Sequence, residues 1–226
     1  MINKAFVINL DSKPEQFYEV QEAFLPYGIE CERYIAIRHS LKQIGCTMSQ
    51  LDIIQRAKKE QWPYVLVIED DCVPQKEMKE WPAISRYLMN HKKEWEVFLG
   101  GSAYVHPQVL RNDFQPEKES SLDIIECSDG VMAHFAVYNE SSYDRLLAWY
   151  DLPMPEEERP IFDIFMTKNF SRIWMTSPFI AWQKSHDNVD QTEITLHAEE
   201  KLKYFSEEIR KSRKARWLGR LLKKIS

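Results

Sequence analysis

The chain has 226 residues, 44% of them hydrophobic, and it carries 30 Lys and Arg against 35 Asp and Glu, a formal net charge of −5. This length and composition predict one domain around a large core, and the six glycines form no GxGxxG or Walker-type loop for phosphate binding. No apolar run approaches the ~20 residues of a membrane-spanning helix, and the sequence opens on a strand pattern instead of a signal peptide.

The four cysteines, Cys31, Cys46, Cys72 and Cys127, are far apart in the sequence and make no CxxC pair. Without a secretion signal, this spacing predicts reduced thiols rather than disulfides or a zinc site. We therefore expect a cytoplasmic protein.

The first 70 residues alternate between strand and helix patterns. Apolar runs at 5–10, 32–38 and 64–68 predict three strands, and capping boxes at 12–15 and 47–50 predict the starts of two helices between them. Strands that alternate with helices pair in parallel through right-handed crossovers. The expected fold is therefore α/β, with a mostly parallel, Rossmann-like sheet flanked by helices.

The pattern is less regular in the second half of the chain. Residues 105–121 lack apolar periodicity and are rich in charge, Pro and Asn, so we expect a loop there. The other predicted elements are, in chain order, a polar helix over about 75–92, a strand at 95–99, short strands at 122–127 and 131–138, helices at 140–150 and 161–170, and a strand at 173–182 interrupted by proline.

Charge is segregated at the C-terminal end. All 35 acids lie at or before Glu208, and eight basic residues follow it, so the preceding part holds 22 Lys and Arg and a formal charge of −13. An acidic body argues against nucleic-acid binding. We divide the chain into a domain over 1–195 and a basic amphipathic helical tail over 196–226. Such a helix suits an anionic membrane surface, at the inner face of the membrane; the alternative is a helix docked on the domain or on a second subunit.

Residues 64–73, YVLVIEDDCV, run from five apolar residues directly into three consecutive acids. Carboxylates ~4 Å apart repel by on the order of 4 kcal/mol per pair at an effective dielectric near 20, so this strand end favours a bound cation. Side chains alternate along a strand, so Glu69 and Asp71 are expected on one face and Asp70 on the other. Ligands of open α/β sheets collect at the carboxyl ends of strands, where an acid-x-acid pair can hold a divalent ion. The alternative is a solvated turn whose acids cap the following helix.

Seven segments follow one another along roughly residues 5–190: FVINLDSKPEQ, IGCTMSQLDIIQRA, VIEDDCV, EVFLGG, GVMAHFAVYNESSYDRLL, IFDIFM and PFIAWQKSHDNVD. In this order they resemble the motifs of glycosyltransferase family 25, the lipopolysaccharide-type glycosyltransferases. The resemblance implies a GT-A fold, in which one nucleotide-binding α/β domain has an acceptor-binding region in its second half. It also implies inverting transfer of a sugar from a UDP-sugar, with UDP-galactose as the expected donor and Mn²⁺ or Mg²⁺ as the ion. The acceptor would be a lipid-linked or surface glycan.

The resemblance assigns the acids to the metal and to the donor. Asp71 and Glu69 would bind the ion, with His186 as a third ligand, although family 25 more often has an aromatic residue at that position. Asp70 would reach the ribose or a metal-bound water. Metal on the diphosphate would stabilise the leaving UDP as a Lewis acid.

Three more positions would contact the donor. Asn9 and Asp11, at the tip of the first strand, would contact the nucleoside, and His134 in VMAHFAV would contact the donor sugar or phosphate. The alternative roles are helix capping for Asn9 and Asp11 and a hydrogen-bonded core position for His134.

An inverting transfer needs a general base for the acceptor hydroxyl, preferably a carboxylate that is partly shielded from water. Asp163, an acid within the apolar IFDIFM, is the first candidate, and Asp129, beside Gly130, is the second. The alternative role for Asp163 is to cap the helix that follows it.

Two departures from the family pattern leave other functions open. Gln50 stands where family 25 commonly has His, and Asn188 stands where it commonly has Asp. One alternative is therefore a non-catalytic relative that binds a glycan or a partner. A Mg²⁺-dependent phosphoryl-transfer enzyme is another, disfavoured because Glu69 takes the position at which such folds usually have a nucleophilic Asp.

Overall fold

The fold is built on a mixed sheet of eight strands with helices on both faces. A computed structural model describes residues 1–116, 120–184 and 191–225. The strands are β1 (Lys4–Asn9), β2 (Glu30–Ile35), β3 (Tyr64–Glu69), β4 (Cys72–Pro74), β5 (Val97–Leu99), β6 (Val105–Arg111), β7 (Asp123–Gly130), β8 (Phe135–Asn139), β9 (Ile173–Ser177) and β10 (Ala181–Gln183). The α-helices are α1 (Pro14–Phe24), α2 (Lys42–Lys59), α3 (Trp81–Asn90), α4 (Tyr143–Leu147), α5 (Phe162–Asn169) and α6 (Gln191–Ile225).

The large sheet has the strand order β2-β1-β3-β8-β5-β9-β7-β6, and β4 pairs with β10 in a second, two-stranded sheet. The pairing of β1 with β2 and with β3 is parallel, as the alternating pattern predicts. Only β7 and β8 run against the other six strands of the large sheet. The predicted α/β class, with a mostly parallel sheet flanked by helices, is confirmed.

The apolar run of β3 is continuous because both faces of this strand are covered. Val65 and Val67 pack in the layer that contains α2, α4 and α5, whereas Leu66 and Ile68 pack in the layer that contains α1 and α3. Burial of each such side chain contributes about 1.5–3 kcal/mol. The strand is thereby fixed in the middle of the sheet, with its acidic end at the carboxyl edge.

The predicted loop over 105–121 is wrong for its first part, which forms β6 and pairs with β7. Strand β6 lies at the edge of the sheet, where it needs no second apolar face, and it contains Pro107. Proline is tolerated on edge strands and at bulges, so the apolar periodicity on which the prediction depended is missing here for a structural reason.

Both predicted capping boxes are wrong in detail. Helix α1 begins at Pro14 without a side-chain cap. Helix α2 begins at Lys42, so Thr47 lies inside it: its Oγ1 donates to the Gln43 carbonyl at 2.8 Å and accepts from the Phe162 N–H at 3.0 Å. Thr47 therefore ties α2 to the start of α5.

Two predicted helices are partly 3₁₀ in geometry. Residues Lys76–Glu80 form a 3₁₀ turn before α3, and α4 lies between two 3₁₀ turns, at Glu140–Ser142 and Ala148–Asp151. The single predicted strand over 173–182 is split by Pro178 into β9 and β10, which belong to different sheets.

The C-terminal helix α6 docks on the domain over its first half. Ala198 and Leu202 are buried in the core layer that contains α2, and Arg210 forms an ion pair of 2.5 Å with Asp123 of β7. The boundary expected at residue 195 therefore lies inside α6. Across the described residues, no helix is long and apolar enough to cross a membrane.

Candidate functional site

The three acids of YVLVIEDDCV lie at the carboxyl edge of the large sheet, where β3 ends at Glu69. The chain then turns into β4, which the short pairing with β10 holds in place. Asp71 is buried, with 8% of its surface exposed, and its Oδ2 accepts a hydrogen bond of 2.9 Å from Nε2 of Gln183. The solvated turn considered for these acids is thus not what forms.

Glu69 lies under α2 in a buried polar contact. Its Oε1 is 3.5 Å from both Cys46 Sγ and Gln50 Nε2. Burial, together with the charges of Asp71 and Asp163, raises the pKa of the Glu69 carboxyl to about 8. Without a bound cation this carboxyl is therefore mostly protonated at neutral pH, because the site holds more negative charge than it can stabilise.

Asp163 belongs to the same group of acids although it lies far away in the sequence. Its Oδ2 accepts a hydrogen bond of 2.7 Å from the Met132 N–H, and the Ala133 N–H donates to it as well. Met132 has φ +79°, a conformation that L-residues rarely adopt. Burial raises the pKa of the Asp163 carboxyl, and these backbone hydrogen bonds partly offset that rise. The helix-capping role considered for Asp163 is not observed, since the N-cap of α5 has no side-chain hydrogen bond. We call Glu69, Asp71 and Asp163 the acid cluster.

Asp70 is directed toward β1, and Asn9 holds it there. Asn9 Nδ2 donates to Asp70 Oδ2 at 2.7 Å and to the Lys13 carbonyl at 2.9 Å, and Arg33 Nε donates to Asn9 Oδ1 at 2.8 Å. Burial raises the pKa of the Asp70 carboxyl, while the hydrogen bond from Asn9 lowers it in part. Asn9 thus organises the strand tip, although it does not cap α1.

A cleft of about 400 Å³ opens beside the acids, between the carboxyl ends of β1, β2 and β3 and the start of α2. Four basic side chains line it together with Glu69 and Asp70: Lys13, Arg38, His39 and Lys42. Sequence reasoning missed Arg38, His39 and Lys42. The signal was available, because RHSLK (38–42) joins a predicted strand to a predicted helix at the edge where ligands of α/β sheets collect.

Asp11 and the connector after α4 complete the rim of the cleft. Asp11 is exposed and forms an ion pair with Arg38, which holds the pKa of the Asp11 carboxyl below its usual range. His39 Nε2 lies 3.3 Å from Glu156 Oε1. The basic groups of the cleft are therefore partly neutralised at its mouth, and Lys13 and Lys42 remain beside the acids.

The fit of a divalent cation depends on two of these carboxylates. Within residues 1–116, 120–184 and 191–225, no three His, Cys, Asp or Glu side chains converge on a complete metal site. Mg²⁺-type ions, however, are commonly held by one or two carboxylates, with substrate phosphates and water as the other ligands. Glu69 and Asp71 beside a basic cleft fit that pattern, and the raised pKa of Glu69 marks an excess of negative charge that a cation would relieve. His186 and Asn188 lie outside the described residues.

The two remaining predicted residues lie apart from the cleft lining. His134 is buried just before β8, where its Nε2 is 3.3 Å from the Ala181 carbonyl. Burial lowers the pKa of this imidazole, which corresponds to the core position considered for it. Asp129, near the end of β7, pairs with His106 of β6 at 2.6 Å.

Comparisons with known proteins extend only to the fold. No family model and no curated protein matches the chain. Among solved structures, a glycosyltransferase involved in the glycosylation of the major capsid of PBCV-1 is 10% identical with a TM-score of 0.52, covering 88% of this chain and 99% of that one. Lower scores of 0.43 and 0.39 are found for apo-UDP-glucose pyrophosphorylase, at 12% identity, 91% and 82% coverage, and for mannose-1-phosphate geranyltransferase from Thermus thermophilus, at 9% identity, 77% and 73% coverage. The fold is GT-A-like, as the sequence resemblance implies.

Proposed function

We propose that the protein is a metal-dependent, inverting glycosyltransferase that moves a sugar from a UDP-sugar to a hydroxyl of a glycan acceptor. One observation carries the proposal: a basic cleft opens directly beside a buried, over-charged acid cluster at the carboxyl edge of a GT-A-like sheet. A nucleotide diphosphate with a divalent cation complements both charges at once.

Each part of the cleft has a role in donor binding. Lys13, Arg38 and Lys42 would bind the diphosphate, since ammonium and guanidinium groups bind phosphate oxygens through charge-assisted hydrogen bonds. The Asn9–Asp70 pair would orient the nucleoside at the tip of β1. Glu69 and Asp71 would hold a Mn²⁺ or Mg²⁺ ion, which supplies charge neutralisation on the departing diphosphate.

Asp163 and Asp129 are the carboxylates considered as the general base. Asp163 uses its Oδ2 on the backbone of residues 132–133, so its part is to hold that loop beside β3, where the His134 carbonyl accepts from the Glu69 N–H at 2.9 Å. Asp129 is engaged with the imidazole of His106, so its part in proton transfer is to act through that ring.

The resemblance to family 25 supports the finer assignment. UDP-galactose is the donor we propose, and a lipid-linked or surface glycan, as in lipopolysaccharide synthesis, is the acceptor. An enzyme that acts on a lipid-linked acceptor needs contact with a membrane surface. Helix α6 continues to Ile225, beyond its ion pair at Arg210, and every charged residue after Glu208 is basic.

We therefore assign the end of α6 to binding an anionic membrane surface. Flotation with phosphatidylglycerol vesicles tests this: the full chain should float with them and stay behind with phosphatidylcholine. Leu221→Glu/Leu222→Glu should abolish flotation, and the matched change Glu207→Gln/Glu208→Gln should not. Equal flotation of the Leu221→Glu/Leu222→Glu chain would show that α6 does not insert its apolar face.

Calorimetry with UDP tests the function. Wild type should bind UDP much more tightly with Mn²⁺ than without it, and Asp71→Asn should lose this difference while remaining folded by circular dichroism. Asp144→Asn, on the exposed face of α4, is the matched control. UDP release from UDP-galactose identifies a transferase.

Three outcomes would point elsewhere. Phosphate released from simple esters would indicate the phosphoryl-transfer alternative. Pyrophosphate released from UTP with a sugar phosphate would indicate a nucleotidyltransferase. Glycan binding with neither UDP binding nor turnover would indicate the non-catalytic relative.

A further inference from the structure

The β6–β7 hairpin is irregular where it approaches the acid cluster. Val105 pairs with Gly130 and Pro107 with Cys127, so two residues of β7, Ser128 and Asp129, oppose the single residue His106. A second shift between Pro107 and Val109 restores the register. Bulges of this kind turn a side chain out of the regular alternation and are over-represented beside active sites.

The first shift brings His106 and Asp129 together as a carboxylate–imidazole pair. Nδ1 of His106 lies 2.6 Å from Oδ2 of Asp129. The imidazole is the exposed partner, with 63% of its side chain accessible against 25% for the carboxylate. The second carboxylate oxygen, Oδ1, is buried and has no hydrogen-bond partner within the described residues. A carboxylate at Nδ1 places the imidazole proton there and leaves the Nε2 lone pair directed outward.

The surface around His106 suits a sugar. Tyr104 precedes it by two positions and is 65% exposed, and Gln108 follows it by two positions and donates to Ser128 Oγ at 3.3 Å. Aromatic faces bind the apolar face of a sugar ring, while imidazole and amide groups bind its hydroxyls. The charged group that reaches this strand from α6 is Lys201, whose Nζ donates to the Val105 carbonyl at 2.6 Å.

A short, well-anchored segment connects this surface to the acid cluster. Ser102 Oγ donates to the Val131 carbonyl at 2.8 Å, the Met132 N–H donates to Asp163, and the His134 carbonyl accepts from the Glu69 N–H. Five residues separate Asp129 from His134, and a fully extended chain of that length spans at most about 18 Å. The His106 surface therefore lies within reach of an acceptor bound against the donor cleft.

We propose that His106, oriented by Asp129, is the general base that removes the proton from the acceptor hydroxyl. This inference rests on the proposed glycosyl transfer. The acceptor oxygen attacks the anomeric carbon of the donor and forms the new glycosidic bond, while the bond from that carbon to the diphosphate oxygen breaks and UDP leaves with the electron pair. The hydroxyl proton passes to Nε2 of His106, and Asp129 stabilises the resulting imidazolium. Tyr104 holds the acceptor ring, and Asp129 is a positioning residue.

The test uses the full chain with UDP-galactose and Mn²⁺, with water and with methyl β-glycosides of glucose and N-acetylglucosamine as acceptors. His106→Ala should lower kcat by about 100-fold or more, with UDP affinity by calorimetry within about twofold of wild type, and added imidazole should restore part of the turnover. Asp129→Asn should lower kcat without changing the donor KM, and Asp129→Glu should recover part of the loss. His197→Ala, at an exposed histidine of α6, is the matched control.

Each other outcome has a definite meaning. Turnover of His106→Ala within about twofold of wild type would make the pair a surface ion pair and overturn the inference. Loss of UDP binding together with turnover would place the defect in the donor cleft and overturn it as well. If wild type neither binds UDP nor releases it from UDP-galactose, the proposed function itself is wrong, and the assignment of His106 falls with it.

Discussion

The side-chain amide of Gln50 joins helix α2 to the acidic end of β3: its Nε2 lies 3.5 Å from Glu69 Oε1. Its other end, Oε1, accepts a hydrogen bond of 3.2 Å from the Tyr138 hydroxyl. Gln50 is almost fully buried. Gln50 therefore does not take part in a capping box, as its position after Thr47 suggested, but fixes the carboxyl that we assign to the metal.

The first prediction concerns this contact. Gln50→Leu should lower the free energy of unfolding by about 1–3 kcal/mol, because the buried Tyr138 hydroxyl would lose its acceptor. Urea denaturation measures the change. Gln55→Leu, at an exposed position on the same helix, is the control and should have little effect. Equal stabilities of the two variants would mean that the Gln50 contact contributes nothing.

The second prediction is a pH dependence of stability in the cation-free protein. The folded-state pKa of Glu69, about 8, is above its unfolded value of 4.5, so the folded state binds more protons between these pH values. Its contribution to stability is therefore fully present below about pH 4.5 and is lost as the pH rises through 8. Urea midpoints at pH 5, 6, 7 and 8 in a chelating buffer should fall, and Glu69→Gln should flatten the profile. An unchanged slope in that variant would contradict the assignment to Glu69.

The third prediction concerns the mouth of the cleft. Arg38→Gln should weaken UDP binding by about five- to tenfold, because a charge-assisted contact to the diphosphate is lost. Asp11→Asn should strengthen UDP binding, since Arg38 would no longer be neutralised by its ion-pair partner. Calorimetry at fixed ionic strength measures both, with Lys59→Gln, outside the cleft, as the control. A weaker affinity in Asp11→Asn would instead indicate that Asp11 contacts the nucleotide, as the sequence resemblance suggested.

The fourth prediction separates the two chemical roles of Asp163. Asp163→Ala should lower the free energy of unfolding by about 1–3 kcal/mol, because the Met132 N–H would lose its acceptor. Asp163→Asn retains an acceptor oxygen and should keep most of the stability. If Asp163→Asn is as unstable as Asp163→Ala by urea denaturation, the charge rather than the hydrogen bond stabilises the loop.

Some features of the fold follow from local sequence pattern. The strand–helix alternation of the first 70 residues predicts parallel pairing, since that pairing needs only the period of apolar residues and a crossover between strands. The position of the acids directly after β3 likewise predicts a site at the carboxyl edge. The capping boxes fail, because α2 begins five residues before Thr47 and the Thr47 hydroxyl contacts α5 instead.

The sequence by itself determined the α/β class, the buried central strand and the acidic strand end, because each depends on residues that are neighbours along the chain. Only the tertiary structure decided that Asp163 joins Glu69, that Arg38 and Lys42 line the cleft and that Asp129 meets His106. Those partners are separated by tens of residues, and their meeting depends on strand order and on a bulge in an edge hairpin. Local periodicity carries no information about either, because both depend on which surfaces pack together once the chain has folded.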